Sequence, residues 1–309
     1  MKFGVKEKDL KVNIRTFSGD IEIIDTDDKE VEVVFSTLRK NAAVEMFDVF
    51  LENNTLTISQ KNKTLSQFST SEEHPVLITI PRSCKISGSV NSISGDIRIS
   101  GITAVDTEIK TKSGDITVSD ASESDMICKS VSGDIRISGM SGSLDLSSIS
   151  GDISASGKEI SKVFLKTVSG DIELKGEFTL ERSGSVATVS GDINVDFVSY
   201  EGDNTLKAST VSGDIDLSGN KPSDEKLKIS QVKADLGKFS PMAKDLIAGT
   251  FGNVVKNIKS HFKDINSERS EPEIKKDGKN DQSVQKILDM VSEGKISVEE
   301  AEKLIKALN

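Results

Sequence analysis

Aromatic side chains are scarce in this chain of 309 residues, which has 4% aromatic content, no tryptophan and one tyrosine, Tyr200. Since a compact globular domain of this size buries more aromatic surface, a core of thin stacked layers of aliphatic side chains is favoured. The formal net charge of −10 disfavours non-specific nucleic-acid binding. Apolar runs are also short. A transmembrane helix requires about 18 or more consecutive apolar residues, and since no run reaches that length, none is predicted.

Cysteine and histidine are equally sparse. Cys84 and Cys128 have neither metal-type spacing nor the pattern of a disulfide framework. His74 and His261 have no adjacent cysteine or acid–base constellation, so we expect both to be surface residues. Cys128 is expected to be a small core residue. We therefore predict no catalytic, cofactor-binding or metal-binding residue and no enzymatic activity.

The start of the chain, MKFGVKEKDLKVNIRTFSGD, contains no apolar segment of the kind that a secretory signal requires. We therefore expect a cytoplasmic protein. Peripheral association with a membrane is an alternative that the C-terminal third of the chain raises.

The tetrapeptide Ser-Gly-Asp-Ile occurs eight times. Successive copies lie 76, 19, 19, 18, 19, 21 and 22 residues apart, and a period near 20 residues is typical of a solenoid. The first interval equals four periods of 19, which predicts degenerate repeats within it, such as NNTLTIS at residues 53–59. The serines of the eight copies are Ser18, Ser94, Ser113, Ser132, Ser150, Ser169, Ser190 and Ser212.

Aligned on these serines, the copies are apolar at four positions. The residue three positions after the serine is always Ile, and the residue five positions after it is always apolar. The residue one before is apolar except at Lys112, and the residue four before is apolar from the third copy onward. Each copy is therefore interpreted as two short strands joined at a Ser-Gly-Asp corner. If the copies stack about 4.8 Å apart, all four apolar positions form continuous ladders of core residues. The repeat therefore predicts a mainly β protein whose residues 1–230 form a single-chain parallel β-solenoid of about 19-residue coils.

The Ser-Gly-Asp corner is interpreted as a structural turn and not as a ligand site, because Gly permits positive φ and Ser and Asp hydrogen-bond nearby amides. The alternative is a row of aspartates that attracts Ca²⁺, although Ca²⁺ takes six to eight oxygens and each coil offers one carboxylate. The predicted structural turn and core residues are Gly95, Asp96, Ile97, Gly114, Asp115, Ile116, Gly133, Asp134, Ile135, Gly151, Asp152, Ile153, Gly170, Asp171 and Ile172.

After Pro222 the repeat gives way to helical patterns. Between Met242 and Ile265 apolar residues recur at steps of three and four, which predicts an amphipathic helix within residues 231–265. Residues 226–265 hold eight Lys and three Asp, a local charge of +5, against −13 for residues 1–225. This helix is expected to cap the open end of the solenoid, or to lie on an anionic membrane surface through residues 240–265.

Residues 266–282 are charged and nearly free of apolar side chains, so we expect a flexible linker. Residues 283–309 predict a helical hairpin, with Gly294 ending its first helix and a capping box at Ser297 and Glu300. So small a hairpin cannot bury a stable core alone, so we expect it to bind a protein partner or a second copy. Its candidate interaction residues are Leu288, Val291, Leu304, Ile305 and Leu308.

Two stretches resemble known families. The SGDI coils, entered through VLITIPRSCKISGSVNSISGDIRIS, resemble the bacterial putative-adhesin β-strand-repeat family, or toastrack domains (domain of unknown function 4097), over roughly residues 10–220. The ending ILDMVSEGKISVEEAEKLIKAL resembles the SHOCT-like helical hairpin of YvlB–LiaX-type proteins, where the module is commonly N-terminal. The resemblance implies a β-helical scaffold linked to envelope stress or surface interaction, and it supplies no catalytic residues.

These observations predict a non-catalytic β-solenoid scaffold or binding protein of the bacterial cell-envelope stress response, whose helical tail mediates partner binding or oligomerisation. The alternatives are an adhesin-like surface binding module and, less favoured, a carbohydrate-active β-helix enzyme, which rests on fold analogy. No cofactor and no nucleic-acid partner are expected.

Overall fold

A computed structural model describes residues 1–5, 7–36, 43, 45–61 and 74–231. The described residues belong to one compact unit, Met1–Gln231, which is a parallel β-solenoid as the repeat predicts. None of the described helical segments has the length and apolar character needed to span a membrane. The predicted amphipathic helix, linker and helical hairpin lie outside the described residues.

The described secondary structure includes twenty strands and a short 3-10 helix, Asp224–Lys226. The strands are β1 (Lys2–Gly4), β2 (Asp9–Ser18), β3 (Ile21–Thr26), β4 (Glu30–Phe35), β5 (Phe47–Glu52), β6 (Thr55–Gln60), β7 (Val76–Pro81), β8 (Lys85–Ser94), β9 (Ile97–Ser100), β10 (Ala104–Ser113), β11 (Ile116–Ser119), β12 (Ser124–Ser132), β13 (Ile135–Ser147), β14 (Ile153–Lys166), β15 (Ile172–Thr179), β16 (Gly184–Ala187), β17 (Ile193–Glu201), β18 (Leu206–Thr210), β19 (Ile215–Gly219) and β20 (Leu227–Gln231).

The eight Ser-Gly-Asp corners form one continuous column. Ser18 pairs in parallel register with Ser94, and each later corner serine pairs with the next one, up to Ser212. The isoleucines after the corners stack in the same way, from Ile21 to Ile215. Each coil therefore adds one strand before the corner and one strand after it to two long parallel layers.

Three of the four apolar positions line the core. The isoleucine after the corner is fully buried in every coil except the last, where Ile215 is half-buried. The residue five positions after the serine is buried in every coil. The residue four before it is buried in all eight coils, in a column that runs through Ile14, Val90, Ile109, Cys128, Leu146, Leu165, Val186 and Ala208.

The fourth position, one before the serine, does not form a continuous core ladder, so that part of the prediction was wrong. In the first four copies the strand runs to the corner serine, and the alternation of side chains places the residue two before the serine inward and the residue one before it outward. In the last four copies the strand ends before this position, where Ile149 and Val168 are half-buried and Val189 and Val211 are buried. The position two before the serine holds a Ser or Thr that is at most 1% exposed in every coil, namely Thr16, Ser92, Thr111, Ser130, Ser148, Thr167, Thr188 and Thr210. The apolar residues at the fourth position form what we term the outer row, namely Phe17, Ile93, Val131, Ile149, Val168, Val189 and Val211.

The long first interval does not contain four further coils. Strands β2 and β3 stack directly on β8 and β9. The chain between them returns to the opposite side of β2 and β3, where β6 and β7 form one additional coil. NNTLTIS thus contributes to β6, which pairs with the strand before the first corner. The remaining length of the interval includes β4 and β5, which pair with β7 and β6 in antiparallel fashion. They therefore cover the strand edges that this end of the solenoid would otherwise expose.

The other end of the described solenoid is β20, which pairs in parallel with β18. Ile229 of β20 lies in register with Ala208, a core position. It is nevertheless 57% exposed, because it belongs to the last described strand of that layer.

Replacement of Ile135 by Asp tests the inward assignment. Ile135 lies between Ile116 and Ile153 in the core column, so an aspartate there would place an uncompensated charge among aliphatic side chains. We expect Ile135→Asp to lower the free energy of unfolding by more than about 4 kcal/mol in urea titrations. Ser138→Asp, at an exposed position of the same strand, should leave it nearly unchanged. Equal stability of the two variants would contradict the assignment.

Candidate binding surface

The corner aspartates join the coils through their side chains. At the six corners from Gly95 to Gly191 the Gly and Ile amides donate to main-chain oxygens of the following coil, as Gly95 does to Ser113 and Ile97 to Asp115. The Asp amide between them instead donates to the preceding coil, where Oδ1 of the corner aspartate accepts it. This bond recurs at seven successive steps with N···O distances of 2.7–2.9 Å, through Asp20, Asp96, Asp115, Asp134, Asp152, Asp171, Asp192 and Asp214.

The corner glycines permit the coils to approach this closely. A Cβ atom placed on any glycine from Gly95 to Gly213 in the column would overlap the carbonyl oxygen of the preceding corner glycine. Positive φ is not the common reason, because φ at Gly133, Gly151 and Gly170 lies outside the left-handed region. The backbone contact between stacked corners therefore explains the glycine in every coil.

The buried Ser and Thr hydroxyls form a second ladder beside the corners. From Thr111 onward each donates to the carbonyl oxygen of the corner glycine in the preceding coil, at 3.0–3.5 Å, so that these six buried polar groups are satisfied. The six donors are Thr111, Ser130, Ser148, Thr167, Thr188 and Thr210.

A glutamine closes this ladder at the C-terminal end. Gln231 lies in register with Thr210, in the place of the next buried hydroxyl. Its Nε2 donates to the carbonyl oxygen of Gly213 at 2.7 Å and to Oδ1 of Asp214 at 2.9 Å. Inside the stack, the next hydroxyl and the next aspartate amide occupy the equivalent acceptors. One amide side chain thus substitutes for the corner contacts of a further coil.

A second glutamine acts at the opposite end. Oε1 of Gln60, at the end of β6, accepts the amide of Phe17 at 2.6 Å and the amide of Ser18 at 3.3 Å. The main chain entering the first corner is therefore held by a side chain of the additional coil.

Two arginines bridge the carboxylates of the first four corners. Each lies four positions after its corner serine, and its two Nη atoms reach Oδ2 of two successive aspartates at 2.6–2.9 Å. Arg98 joins Asp20 to Asp96, and Arg136 joins Asp115 to Asp134.

The last four corner carboxylates have different neighbours. Ser154, Glu173, Asn194 and Asp216 follow Arg136 in the same outward column, so no arginine occupies it in these coils. This part of the corner column and its surroundings are rich in carboxylates.

The described residues contain no group of three His, Cys, Asp or Glu side chains placed to hold a metal ion. Because Oδ1 of each corner aspartate already accepts a hydrogen bond, the arrangement favours the structural role over the calcium alternative.

His74 is buried, with 5% of its surface exposed, so its prediction as a surface residue was wrong. It lies two residues before β7, level with Gly19, and a Cβ on Gly19 would come 2.6 Å from its carbonyl oxygen. His74 thus occupies a corner position of the additional coil. His261 lies outside the described residues.

Neither cysteine has the surroundings of a nucleophile. Burial, with a smaller contribution from the Asp145 carboxylate, raises the pKa of the Cys128 thiol to about 12. Cys128 lies in the core column, as predicted. Burial also raises the pKa of the Cys84 thiol. Both thiols therefore stay protonated and covered near neutral pH.

The strands before the corner carry a compact ionic cluster on their outer face. The Glu108 carboxylate receives Lys110 at 2.6 Å and Lys129 at 3.1 Å. Burial opposes ionisation of Glu108, but the hydrogen bonds from both lysines outweigh it and lower its pKa. The cluster carries one net positive charge and joins two adjacent coils.

A shallow depression of about 440 Å³ lies at the side of the solenoid, next to Gly139. Its lining includes Lys158, Glu159 and Glu177 together with Met140. It is open and has three charged residues in its lining, unlike the enclosed apolar pockets that small molecules favour. The outer faces of the strands are therefore better candidates for binding than this depression.

The predicted turn residues lie at the corners described above, and their isoleucines lie in the core column. The predicted interaction residues Leu288, Val291, Leu304, Ile305 and Leu308 lie outside the described residues. Sequence reasoning missed the hydroxyl ladder, the two closing glutamines and the two bridging arginines. The uniform Ser or Thr two positions before every corner serine was the signal that could have revealed the ladder.

The Arg136 bridge should make stability depend on pH. Burial opposes ionisation of Asp115, but hydrogen bonds from Arg136 and the Asp134 amide outweigh it and lower its pKa below the ordinary 3.8. A carboxyl with a lowered pKa stabilises the fold above its ordinary pKa, and this contribution is lost as the pH falls through the lowered value. Arg136→Gln should therefore destabilise the protein by up to about 1 kcal/mol near neutral pH, as for a half-exposed pair.

The difference between Arg136→Gln and the unaltered protein should shrink in urea titrations as the pH falls from about 5 to about 2. Arg182→Gln, at an exposed position, serves as the control and should show no such trend. A difference that stays constant over this range would show that the bridge does not act through the Asp115 carboxylate.

Comparison with protein-family models gives two matches. The model described as Toastrack DUF4097 matches residues 10–239, and a SHOCT-like domain model matches residues 282–309. No curated protein matches the chain. The toastrack match favours a non-catalytic binding module over an enzyme.

Solved structures with similarity to this chain include three bacterial proteins. A putative adhesin from Bacteroides fragilis NCTC 9343 is 16% identical, with a TM-score of 0.37, over 75% of this chain and 95% of its own. A putative lipid binding protein from Parabacteroides distasonis ATCC 8503 is 17% identical, with a TM-score of 0.37, over 75% and 96%. A putative cell adhesion protein from Clostridium sporogenes ATCC 15579 is 12% identical, with a TM-score of 0.34, over 74% and 94%. Similarity at this level supports no inference about function.

Proposed function

Because the chain belongs to the toastrack family, whose model matches residues 10–239, we propose that it is a non-catalytic scaffold that binds components of the bacterial cell envelope under stress. The observation that carries this proposal is the use of the repeated polar groups. The corner carboxylates accept amides, and the buried hydroxyls donate to glycine carbonyls. The chemistry repeated in every coil thus holds the coils together.

The remaining reactive side chains of the described residues support the same conclusion. His74, Cys84 and Cys128 are buried, and both thiols have a raised pKa. A glycosidase needs two carboxyl groups facing each other across a sugar site, about 5–10 Å apart. The corner carboxylates instead form a single column in which each holds an amide of the next coil. A carbohydrate-active enzyme is therefore not proposed.

The scaffold has regular outer faces on which a partner could lie. The parallel strands before and after the corners present outward side chains at a fixed spacing of about 4.8 Å from coil to coil. Such extended repeat surfaces are commonly used to bind other macromolecules. Binding by an extended repeat surface therefore suits this molecule better than binding in a pocket.

The segment that matches the SHOCT-like model, residues 282–309, supplies a second binding element in this proposal. The apolar stripe that its sequence predicts includes Leu304, Ile305 and Leu308, and so short a segment lacks a core large enough for stability alone. We propose that this stripe binds a protein partner at the inner face of the cell membrane and brings the scaffold to it.

Fractionation of bacteria that express the full chain tests this proposal. The unaltered protein should sediment in part with the envelope, and crosslinking there should recover a distinct partner complex. Leu304→Asp should move the protein to the soluble fraction and abolish the complex, because it breaks the apolar stripe. Lys306→Asp is the matched control and should behave like the unaltered protein, although it changes the charge by more.

Circular dichroism melting curves of both variants should match the unaltered protein, which would show that the solenoid is intact. Finding the unaltered protein entirely in the soluble fraction, without a crosslinked complex, would refute the envelope role. Retention of the complex by Leu304→Asp would refute the role of the tail.

A further inference from the structure

Four lysines lie together on the outer face of the last strands before the corners. Lys162 and Lys166 belong to β14, Lys207 to β18 and Lys228 to β20. Along each strand they alternate with side chains that face the core, so all four point outward. We term these four lysines, together with Phe164 between the first two, the lysine face.

The strands that carry the lysine face hold no acidic residue near it. Strands β16, β18 and β20 contain neither Asp nor Glu, and neither does the end of β14 from Lys162 to Lys166. Within the part of the chain that the structure describes, none of the four lysines forms an ion pair with a carboxylate. The strands after the corner in the same coils carry Glu173, Asp196 and Asp216. A chain of net charge −10 therefore has one face whose positive charge is not neutralised by ion pairs.

The lysine face is compact. Lys207 and Lys228 lie in register on adjacent coils, and Ser185 separates Lys207 from Phe164 in the same outward column. At about 4.8 Å per coil and about 3.3 Å per residue, the face measures about 14 Å across the strands and about 13 Å along β14. Asp145 of β13, in register with Phe164, bounds the face on the side of the earlier coils.

Phe164 adds an aromatic ring to these charges. The Nζ atom of Lys162 lies 5.4 Å from the centre of the ring. Phe164 is half-buried, whereas Lys207 and Lys228 are exposed. Lysines combined with an aromatic side chain are typical of surfaces that lie in the headgroup region of a membrane. The lysines are spread over the face of a sheet and do not converge on one point, so they fit an array of phosphates better than a single ion.

We propose that the lysine face binds the anionic phospholipid headgroups of the cell membrane. Each lysine held near an anionic surface strengthens binding, and the contributions of several lysines on one face add up. The carboxylates at and after the corners lie outside this contact. The proposal deepens the envelope role and rests on it, but it requires lipid alone. Purified vesicles therefore test it without the protein partner that fractionation and crosslinking detect.

Sedimentation of the purified full chain with vesicles tests the proposal. Vesicles of phosphatidylglycerol mixed with phosphatidylcholine should bind the unaltered protein, and vesicles of phosphatidylcholine alone should not. Lys207→Gln combined with Lys228→Gln should weaken binding at least about tenfold, because each lysine near an anionic surface contributes about fivefold. Lys29→Gln combined with Lys158→Gln removes the same charge from exposed positions elsewhere and should leave binding nearly unchanged. Melting curves of both double variants should match that of the unaltered protein.

A fluorescent probe distinguishes this face from any other membrane-binding part of the chain. The chain contains no tryptophan, so Phe164→Trp and Val198→Trp each introduce a single one. Val198 is 43% exposed on β17, a strand after the corner, and serves as the control. Anionic vesicles should shift the emission of the Phe164→Trp protein to shorter wavelength and leave that of the Val198→Trp protein unchanged.

Four outcomes would overturn the proposal. Failure of the unaltered protein to bind anionic vesicles would refute it, while the partner complex of the envelope role would stay open to detection by crosslinking. Equal weakening by the two pairs of glutamine substitutions would show that binding follows net charge and not this face. Vesicle binding without an emission shift in the Phe164→Trp protein would assign the contact to another part of the chain. Binding of a DNA duplex that Lys207→Gln and Lys228→Gln weaken equally would identify a general polyanion surface instead of a lipid site.

Discussion

The backbone amide of each corner aspartate points toward the preceding coil and is accepted there by a carboxylate. This side-chain-to-backbone bond connects all eight corners through seven repeated steps. It requires adjacent corners to be in close contact, and that contact excludes any Cβ atom at the corner glycine. The same approach brings the buried hydroxyls within reach of the glycine carbonyls. Each residue of the Gly-Asp-Ile sequence therefore contributes to the stacking of the coils. Asp supplies the hydrogen-bond acceptor, Gly leaves room for the close contact between corners, and Ile packs in the core.

This use of the polar residues determines what the surface can offer. The first half of the corner column is bridged by arginines, whereas the second half borders further carboxylates. One outward column beside the corners is polar, and the outer row on the other side is apolar. The solenoid thus has chemically distinct sides although its coils are nearly identical in backbone. A scaffold with such sides can bind a partner on one face and leave the other faces exposed.

The coil length, the parallel stacking and the core columns could be predicted because the repeat displays them eight times. The position before the serine was mistaken for a continuous core ladder because apolar character was counted without the alternation that, in the first copy, places Thr16 inward and Phe17 outward. The sequence did not show that the first coil, β2 and β3, lies between the coil of β6 and β7 and the coil of β8 and β9. An interval of 76 residues has room for four coils, and equally for one coil with additional antiparallel strands. The roles of Gln60, Gln231 and Arg136 depend on register, which appears only when the coils are stacked.

Hydrogen exchange at a single corner amide measures the central interaction most directly. The Asp192 amide donates to Oδ1 of Asp171, whereas the neighbouring Ile193 amide donates to a main-chain oxygen. In Asp171→Ala, exchange at Asp192 should accelerate while Ile193 stays protected, and the free energy of unfolding should fall by about 1–3 kcal/mol because a donor has lost its partner. Asp171→Asn, which keeps an acceptor oxygen, should preserve most of the protection. Unchanged exchange at Asp192 in Asp171→Ala would contradict the account, because the carboxylate would then not hold the next coil.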